Sequence, residues 1–194
     1  MLVSGSGTNL AALIDAVGSD PGFGATITVV ISDRLGIKAI DRAADAGLPV
    51  EVVPFRGGRK AFTKAICRAA TAHQAEALVL AGFMRILGPE AIRAFPDRII
   101  NIHPSLLPSF PGASAVAEAL GYGVTLTGVS VHFVDNNVDH GPIIAQRAVP
   151  VLPEDTKESL HARIQWEEHE LYPQVIKAFA NGRLRVDGRR VSWE

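Results

Sequence analysis

The segment Asn101-Ile102-His103-Pro104 places an amide and an imidazole two residues apart. It follows Arg98-Ile99-Ile100, an apolar run that predicts a strand, so both side chains would point to the same face. Pro104 keeps His103 out of the helical region of backbone conformations. An amide donor beside a titratable imidazole can stabilise developing negative charge and move a proton. We therefore predict an active site built on Asn101 and His103.

A glycine-rich turn, Ser4-Gly5-Ser6-Gly7-Thr8-Asn9, precedes a predicted helix that runs through Ala12-Leu13-Ile14. Two glycines at a strand-to-helix turn let backbone N–H groups point at an anion, and the helix N-terminus adds its positive dipole end. The run is neither a dinucleotide fingerprint nor a P-loop, because Leu10 stands at the third glycine position and no Gly-Lys-Ser/Thr follows. Phosphate binding and a plain glycine turn with a helix cap both fit these residues.

The segment Ala81–Leu87 and the residue Asp139 are further candidates, and each has a structural alternative. Ala81–Leu87 follows the buried run Ala77–Leu80, and its apolar side chains fit either a pocket wall or core packing. Asp139 lies in the turn between two late predicted strands, where Asp is a common turn former. A carboxylate close to His103 would raise the pKa of that imidazole and fix its orientation, but the spacing does not decide whether the two meet.

Two polar residues fall within apolar predicted elements. Glu168 lies on the apolar stripe of the predicted helix Glu154–Ala180, where a carboxylate is costly unless it is paired or faces a cleft. That position makes Glu168 a candidate for substrate contact. His132 lies in the predicted strand Val124–Asp135, where a hydrogen-bonded core histidine fits better than a supporting role in the site. No cluster of residues has the spacing of metal ligands.

The elements that must position these residues alternate between strands and helices in the first half of the chain. The predicted elements are strands within Gly24–Asp33 and at Val50–Val53, Ala77–Leu80 and Arg98–Ile100, and helices at Lys38–Ala46, Arg59–His73 and Glu90–Phe95. Continuous apolar strands between helices predict a parallel sheet covered on both faces and doubly wound by right-handed crossovers. We therefore predict an α/β fold with a mostly parallel, Rossmann-like N-terminal half and antiparallel strands, Val124–Asp135 and Pro142–Leu152, in the C-terminal half.

Length and composition suit a single domain over residues 1–194, with 47% hydrophobic and 20% charged residues. The formal net charge of -1 gives no reason to expect nucleic acid or an anionic membrane as a partner. Cys67 is the only cysteine, so no internal disulfide can form. No apolar run approaches the roughly 20 residues of a membrane span, and no signal peptide is evident, so we predict a cytoplasmic protein. Because only Met1-Leu2-Val3 precede Ser4, the first strand is expected to be truncated.

Four segments occur in the order seen in the phosphoribosylglycinamide formyltransferases of purine biosynthesis, and the chain resembles that family along nearly its whole length. They are Ser4–Asn9, Ala81–Leu87, Asn101–Pro108 and Val138–Pro142. The run Asn-Ile-His-Pro-Ser-Leu-Leu-Pro is typical of the wider formyl-transfer superfamily, and the first two segments narrow the resemblance. Ser114 is a departure, because the family often has a histidine there, two residues after Pro-Gly. An auxiliary role of that histidine is therefore not expected here.

The resemblance implies transfer of the formyl group of 10-formyltetrahydrofolate to the amine of glycinamide ribonucleotide. It implies that Asn101 and His103 stabilise the oxyanion, and that Asp139 keeps His103 charged and assists proton transfer. The implied binding residues are Ser6, Gly7, Thr8 and Asn9 for the substrate phosphate, Arg85, Ile86, Leu87 and Asp139 for the folate, and Met84, Pro104, Gln165 and Glu168 for the substrate. The implied partners are these two small molecules, without metal, nucleic acid or membrane, and the implied state is a monomer or homodimer.

Two other functions stay open at the level of sequence. A 10-formyltetrahydrofolate deformylase of the same superfamily shares the Asn, the His and the Asp, but usually carries an added regulatory domain that 194 residues would not hold. A non-catalytic nucleotide- or folate-binding protein would keep the fold and lose activity through a short N-terminus. Methionyl-tRNA formyltransferase fits less well, because it needs a tRNA-binding domain and lacks the phosphate loop.

Overall fold

Short strands, most of them buried, alternate with helices through residues 1–101, the first of two units into which the chain divides. The computed structural model describes all residues from 1 to 194. The strands are β1 (Leu2–Val3), β2 (Val30–Ser32), β3 (Val50–Val52), β4 (Leu78–Leu80) and β5 (Ile99–His103), and the helices are α1 (Thr8–Ser19), α2 (Lys38–Asp45), α3 (Gly58–Ala72) and α4 (Pro89–Ala94). Strand β5 begins in this unit and ends in the next.

The strands of the first unit are parallel and lie in the order β3-β2-β1-β4-β5. The chain winds outward from β1 to β3 and then returns to the other side of β1 with β4 and β5. The direction of winding therefore reverses between β1 and β4. In sheets of this kind, ligands bind beyond the carboxyl ends of the strands at the reversal. The loops after β1 and β4 flank that point, so topology alone marks them as candidate binding loops.

A small apolar cluster packs strands β1 and β2 against helices α1 and α2. Its buried members are Val3, Leu10, Val30, Ala39, Ala43 and Ala81. Ala39 and Ala43 lie one turn apart on α2 and are fully buried. Their small side chains let α2 lie close to the loop that follows β1, which becomes important for the site.

The second unit, residues 102–194, combines an antiparallel strand pair with a long helix. Its elements are α5 (Ala115–Tyr122), β6 (Leu126–Phe133), β7 (Ile143–Pro150), α6 (Lys157–Ala180), β8 (Leu184–Asp187) and β9 (Arg190–Trp193). Strands β6 and β7 pair from Leu126 opposite Pro150 to His132 opposite Ile143, and the register shifts after Val131. Helix α6 packs on one face of the pair, where the rings of Phe133 and Phe179 meet at 6.2 Å.

The predicted fold class, a mostly parallel α/β sheet with antiparallel strands in the C-terminal half, is confirmed. Helix α6 begins at Lys157, because Thr156 accepts the Ser159 N–H and forms a capping box, and not at Glu154 as predicted. The sequence patterns do not predict α5, whose buried residues are mostly small. The single domain over residues 1–194 stays a prediction.

Two further expectations concern strand length and membranes. Strand β2 begins at Val30, later than the β-branched run from Thr26 suggests, because β3 offers no partner before Val50. Strand β1 has only two residues, and both are fully buried. None of the helices combines the length and the apolar character that a membrane span requires.

Candidate active site

The loop Ser4–Asn9 joins β1 to α1, and helix α2 fixes its backbone. The N–H of Ala39 donates to the Gly5 carbonyl at 3.2 Å, and Nε of Arg42 donates to the Ser6 carbonyl at 3.0 Å. Two carbonyl oxygens of the loop are thus engaged by α2. The first turn of α1 adds N–H groups and the positive end of a helix dipole. This combination suits an anion.

Gly7 is required by the closeness of α2 to this loop. It adopts a left-handed conformation with φ 71°. A Cβ atom on Gly7 would lie 2.7 Å from Cβ and 2.8 Å from Cα of Ala39, which is closer than real Cβ contacts. The second glycine of the motif is therefore a packing requirement of the loop as well as a conformational one.

The loop after β4 contains the residues predicted to contact folate, and its side chains are divided between core and solvent. Phe83 and Leu87 are buried, whereas Met84 is 60% exposed and Ile86 is 53% exposed. The N–H of Met84 donates to Oγ of Ser4 at 2.9 Å, so this loop is tied to the loop after β1. Exposed apolar side chains between buried neighbours fit a surface that receives a flat apolar ligand.

Nε of Arg85 donates to Oδ2 of Asp33 at 2.7 Å, so this guanidinium is engaged within the unit. Asp33 follows β2, and the sequence patterns did not single it out. The only signal for it is its place directly after a buried strand in a parallel sheet.

Asn101 and His103 lie on β5, as predicted, and the strand continues through both. Asn101 is half-buried and lies opposite Leu80 of β4. His103 is the last residue of the strand and is buried. Residues two apart in a strand point to the same face, so the strand geometry agrees with the expected pairing of amide and imidazole.

The structure brings His103 and Asp139 together. Nδ1 of His103 lies 3.4 Å from Oδ2 of Asp139, and Nε2 of His103 lies 2.8 Å from the Phe110 carbonyl. A carbonyl oxygen only accepts, so Nε2 carries a proton in this arrangement. The N–H of Gly112 donates to Oδ2 of Asp139 at 2.7 Å and fixes the carboxylate from the other side.

The turn that carries Asp139 has a strained backbone. Asp139 adopts a left-handed conformation with φ 49°. Two residues later, a Cβ atom on Gly141 would collide with the Phe133 carbonyl, so only glycine fits there. A hydrogen-bond contact between Nδ1 of His140 and Oδ2 of Asp135, at 2.7 Å, closes the turn. A strained residue held by its surroundings at a site is consistent with a functional role for the Asp139 side chain.

Burial dominates the protonation of His103. Burial lowers the pKa of His103, although the Asp139 carboxylate and the Phe110 carbonyl raise it, and the net pKa is below the ordinary value. Asp139 thus raises the pKa of His103, as expected, but burial outweighs this effect. Burial also raises the pKa of Asp139, but hydrogen bonds from His132 and Gly112 and the charge of His103 lower it, and the net pKa is below the ordinary value. Asp139 is therefore a carboxylate at neutral pH.

His132 is a second imidazole on Asp139. Its Nε2 lies 3.6 Å from Oδ1 of Asp139, and its Nδ1 lies 2.8 Å from the Phe133 carbonyl. The register shift between β6 and β7 falls directly before His132, and such a shift can re-aim a side chain. Nδ1 meets the Phe133 carbonyl, as expected for a hydrogen-bonded core histidine, and Nε2 faces Asp139, as the alternative of a supporting role in the site requires. The shared face with Ser130 was the available signal.

A serine network fixes the loop that follows His103. Oγ of Ser130 donates to the Ser105 carbonyl at 2.7 Å and accepts the N–H of Leu107 at 3.0 Å. Nε2 of Gln146 donates to Oγ of Ser130 at 2.8 Å. Oγ of Ser105 donates to the Ser109 carbonyl at 2.6 Å. Because this loop leads to Phe110 and Gly112, the network sets the groups that hold His103 and Asp139.

The other predicted substrate residues of the second unit lie on α6 and beside His103. Glu168 is buried on α6, Gln165 is half-buried three residues before it, and Pro104 is half-buried.

Ser114, the residue in place of the family histidine, is the N-cap of α5, and its carbonyl accepts the N–H of Glu118 at 2.9 Å. No group of three or more His, Cys, Asp or Glu side chains is placed to hold a metal ion. The roles of all these residues stay predictions.

The second unit brings a carboxylate and two imidazoles together, and comparison with known proteins assigns the chain to a class. The family of proteins described as formyl transferase matches residues 1–176, so the chain belongs to the formyl transferase family. A phosphoribosylglycinamide formyltransferase from Mycobacterium tuberculosis is 44% identical over 191 residues, which cover 97% of this chain and 87% of that protein. A glycinamide ribonucleotide transformylase 1 from Symbiobacterium toebii has a crystal structure with a TM-score of 0.95 and 46% identity, covering 99% of this chain and 91% of that one.

Some relatives are much longer or carry another activity. The trifunctional purine biosynthetic protein adenosine-3 of Drosophila pseudoobscura pseudoobscura is 44% identical over 188 residues, and the match spans only 14% of that protein. A formyltetrahydrofolate deformylase from Pseudomonas syringae has a TM-score of 0.91 at 30% identity, and the match covers 64% of that chain. Formyl transfer and formyl hydrolysis thus both occur among proteins of this fold.

Proposed function

We propose that the protein transfers the formyl group of 10-formyltetrahydrofolate to the amine of glycinamide ribonucleotide, in the biosynthesis of purines. The observation that carries the proposal is the contact of buried His103 with half-buried Asp139, at 3.4 Å, in a chain of the formyl transferase family. Relatives with 44% and 46% identity along almost their whole length bear names for this reaction.

The chemistry requires charge stabilisation and one proton transfer. The substrate amine attacks the formyl carbon, and negative charge develops on the formyl oxygen. Asn101 and His103 would each donate a hydrogen bond to that oxygen. In the structure the His103 Nε2–H is engaged by the Phe110 carbonyl, so this role requires that the formyl oxygen replaces that carbonyl as the acceptor. That N–H is a donor in both protonation states of the ring, and protonation strengthens it.

Asp139 completes the proposed reaction. When the tetrahedral intermediate collapses, the bond from the formyl carbon to the folate nitrogen breaks, and that nitrogen takes up a proton as the attacking amine loses one. The Asp139 carboxylate would relay this proton through water. Burial raises its pKa, the donors around it lower it, and the net lowering keeps it ionised and able to accept a proton. It also raises the pKa of His103 against the effect of burial. No covalent enzyme intermediate is needed.

The binding residues are proposed from the same resemblance. The loop of Ser6, Gly7, Thr8 and Asn9 would bind the phosphate of the ribonucleotide, since α2 engages its carbonyls and α1 supplies a helix N-terminus. Arg85, Ile86 and Leu87, with Asp139, would bind the folate. Met84, Pro104, Gln165 and Glu168 would contact the substrate. The proposed partners are thus two small molecules, with no metal, nucleic acid or membrane, and a cytoplasmic monomer or homodimer suits them.

A deformylase is the second candidate, because water could replace the amine at the same three residues. The match to a deformylase structure is at 30% identity, below the 46% found with a transformylase structure, which favours transfer. A non-catalytic protein that binds nucleotide or folate is the third. It is less favoured because the groups around Asp139 are fully assembled.

One assay separates the three. The protein is incubated with 10-formyltetrahydrofolate, with and without glycinamide ribonucleotide, and tetrahydrofolate release is followed. Release that depends on the ribonucleotide, with formylated ribonucleotide as product, is expected. Release that is independent of the ribonucleotide would favour the hydrolase. No release at high enzyme concentration, with ribonucleotide binding in calorimetry, would favour a binding protein.

A further inference from the structure

Asp33 places a buried carboxylate among three loops of the first unit. It directly follows β2, and its side chain is 0% exposed. Its oxygens accept hydrogen bonds from Nε of Arg85 at 2.7 Å and from Nε and a terminal nitrogen of Arg34 at 3.2 and 3.1 Å. Burying a carboxylate costs free energy unless hydrogen-bond donors compensate it. The Asp33 carboxylate therefore depends on the donors that surround it.

Ser4 extends the contacts of Asp33 to the loop after β1. The Ser4 hydroxyl hydrogen-bonds to Asp33, and Oγ of Ser4 accepts the N–H of Met84. Because an ionised carboxylate only accepts, the serine hydroxyl must donate to Asp33 and use its lone pairs for Met84. The result is a directed chain from the Met84 N–H through the Ser4 hydroxyl to Asp33.

The side chain of Arg85 is held on two sides. Its guanidinium bonds to Asp33, and its central carbon lies 4.9 Å from the ring centroid of Phe55, a cation–π contact. Burial raises the pKa of Asp33, but the bonds from Arg34, Arg85 and Ser4 lower it, and the net pKa is below the ordinary value. Asp33 is therefore a carboxylate at neutral pH. The Arg85 side chain thus anchors its loop, which leaves the backbone of that loop to meet a ligand.

We propose that Asp33 is a positioning residue that holds the phosphate loop, Ser4–Asn9, and the folate loop, Met84–Leu87, in their binding conformations. Strands β2, β1 and β4 are neighbours in the sheet, so their following loops meet at the point where the winding reverses. One carboxylate bonded to both loops makes their conformations depend on each other. The inference rests on the proposed function, because it takes these loops as the two substrate sites.

Steady-state kinetics of Asp33→Ala test the inference. We expect KM to rise at least about tenfold for both substrates, the size of a lost charge-assisted hydrogen bond, with kcat much less affected. Asp33→Asn keeps the shape and part of the acceptor capacity, so its KM values should lie between those of the parent and Asp33→Ala. Arg85→Ala removes only the hydrogen bond between Arg85 and Asp33 and should raise the KM for the folate alone. Glu76→Ala, which breaks the exposed pair with Arg98 in the same unit, is the matched control and should change neither KM.

Hydrogen exchange provides a readout that does not need turnover. In Asp33→Ala, the amides of both loops should exchange faster, Met84 most clearly, while Glu76→Ala exchanges like the parent. With an active parent, any of three results for Asp33→Ala would overturn the inference. They are a rise in only one KM, a fall in kcat alone, and faster exchange confined to residues 33 and 34. A parent that lacks ribonucleotide-dependent transfer would instead overturn the proposed function, and with it this inference. If Asp33→Ala does not fold, Asp33→Asn and Arg85→Ala decide.

Discussion

The two units hold their candidate residues in different ways. In the first unit, the candidate residues lie in loops at the ends of parallel strands, and helix packing and the Asp33 carboxylate set the backbone of those loops. In the second unit, side chains from separate segments meet at one carboxylate, Asp139. The first arrangement suits binding of substrate groups that do not react, and the second suits charge and proton movement. Changes in the loops of the first unit should therefore affect KM, and changes around Asp139 should affect kcat.

The largest effect is expected from Asp139→Asn. The substitution keeps the shape but removes the charge that faces His103 and the proton acceptor of the reaction. We expect kcat to fall by a factor of about 10² to 10³, with small changes in KM for the ribonucleotide. Asp187→Asn, an exposed site in β8, makes the same chemical change in the same unit and should have normal kinetics. Equal kcat values for the two variants would remove Asp139 from the mechanism.

Gly7→Ala should change KM and not kcat, the reverse of Asp139→Asn. The new Cβ would press on Ala39, and the left-handed conformation disfavours any side chain, so the loop must shift. We expect the KM for the ribonucleotide to rise roughly tenfold and kcat at saturation to change little, because uniform binding is lost. Gly18→Ala, in α1, has open space and serves as the control. A variant with an unchanged KM would mean that this loop does not bind the phosphate.

His132→Asn tests whether the second imidazole supports Asp139. The substitution weakens the contact at Oδ1 of Asp139 while it keeps a polar group at a buried position. We expect kcat to fall by about tenfold, comparable with one lost charge-assisted hydrogen bond, and less than in Asp139→Asn. Stopped catalysis would place His132 in direct contact with the reaction. Parental kcat with reduced thermal stability would reduce His132 to a core residue.

The smallest predicted effect is a change in protonation. Burial sets the pKa of His103 below its ordinary value of 6.5, and Asp139 opposes this. Nuclear magnetic resonance titration of the parent should therefore find His103 half-protonated below pH 6.5. In Asp139→Asn the opposing charge is gone, so the pKa should fall further. A His103 pKa above 6.5 in the parent would contradict the dominance of burial.

The difference between the two units also determines which features the sequence could predict. The order of strands and helices follows from apolar runs and glycine turns, so the sheet and the two loops of the first unit were predictable. Asn101 and His103 were predictable as a pair, because they are two apart in one strand. The contact of His103 with Asp139 was not, because it depends on a turn 36 residues later in the chain. Asp33 was missed for a similar reason, since its partners come from two other loops.

The central claim is that His103 acts on the reacting group and does not serve to bind the ribonucleotide. The most direct test compares His103→Ala with the parent in single-turnover formyl transfer and in calorimetric binding of glycinamide ribonucleotide. The account predicts that the rate of transfer falls by orders of magnitude while the ribonucleotide Kd stays within a few-fold. Equal transfer rates in the variant and the parent would contradict it.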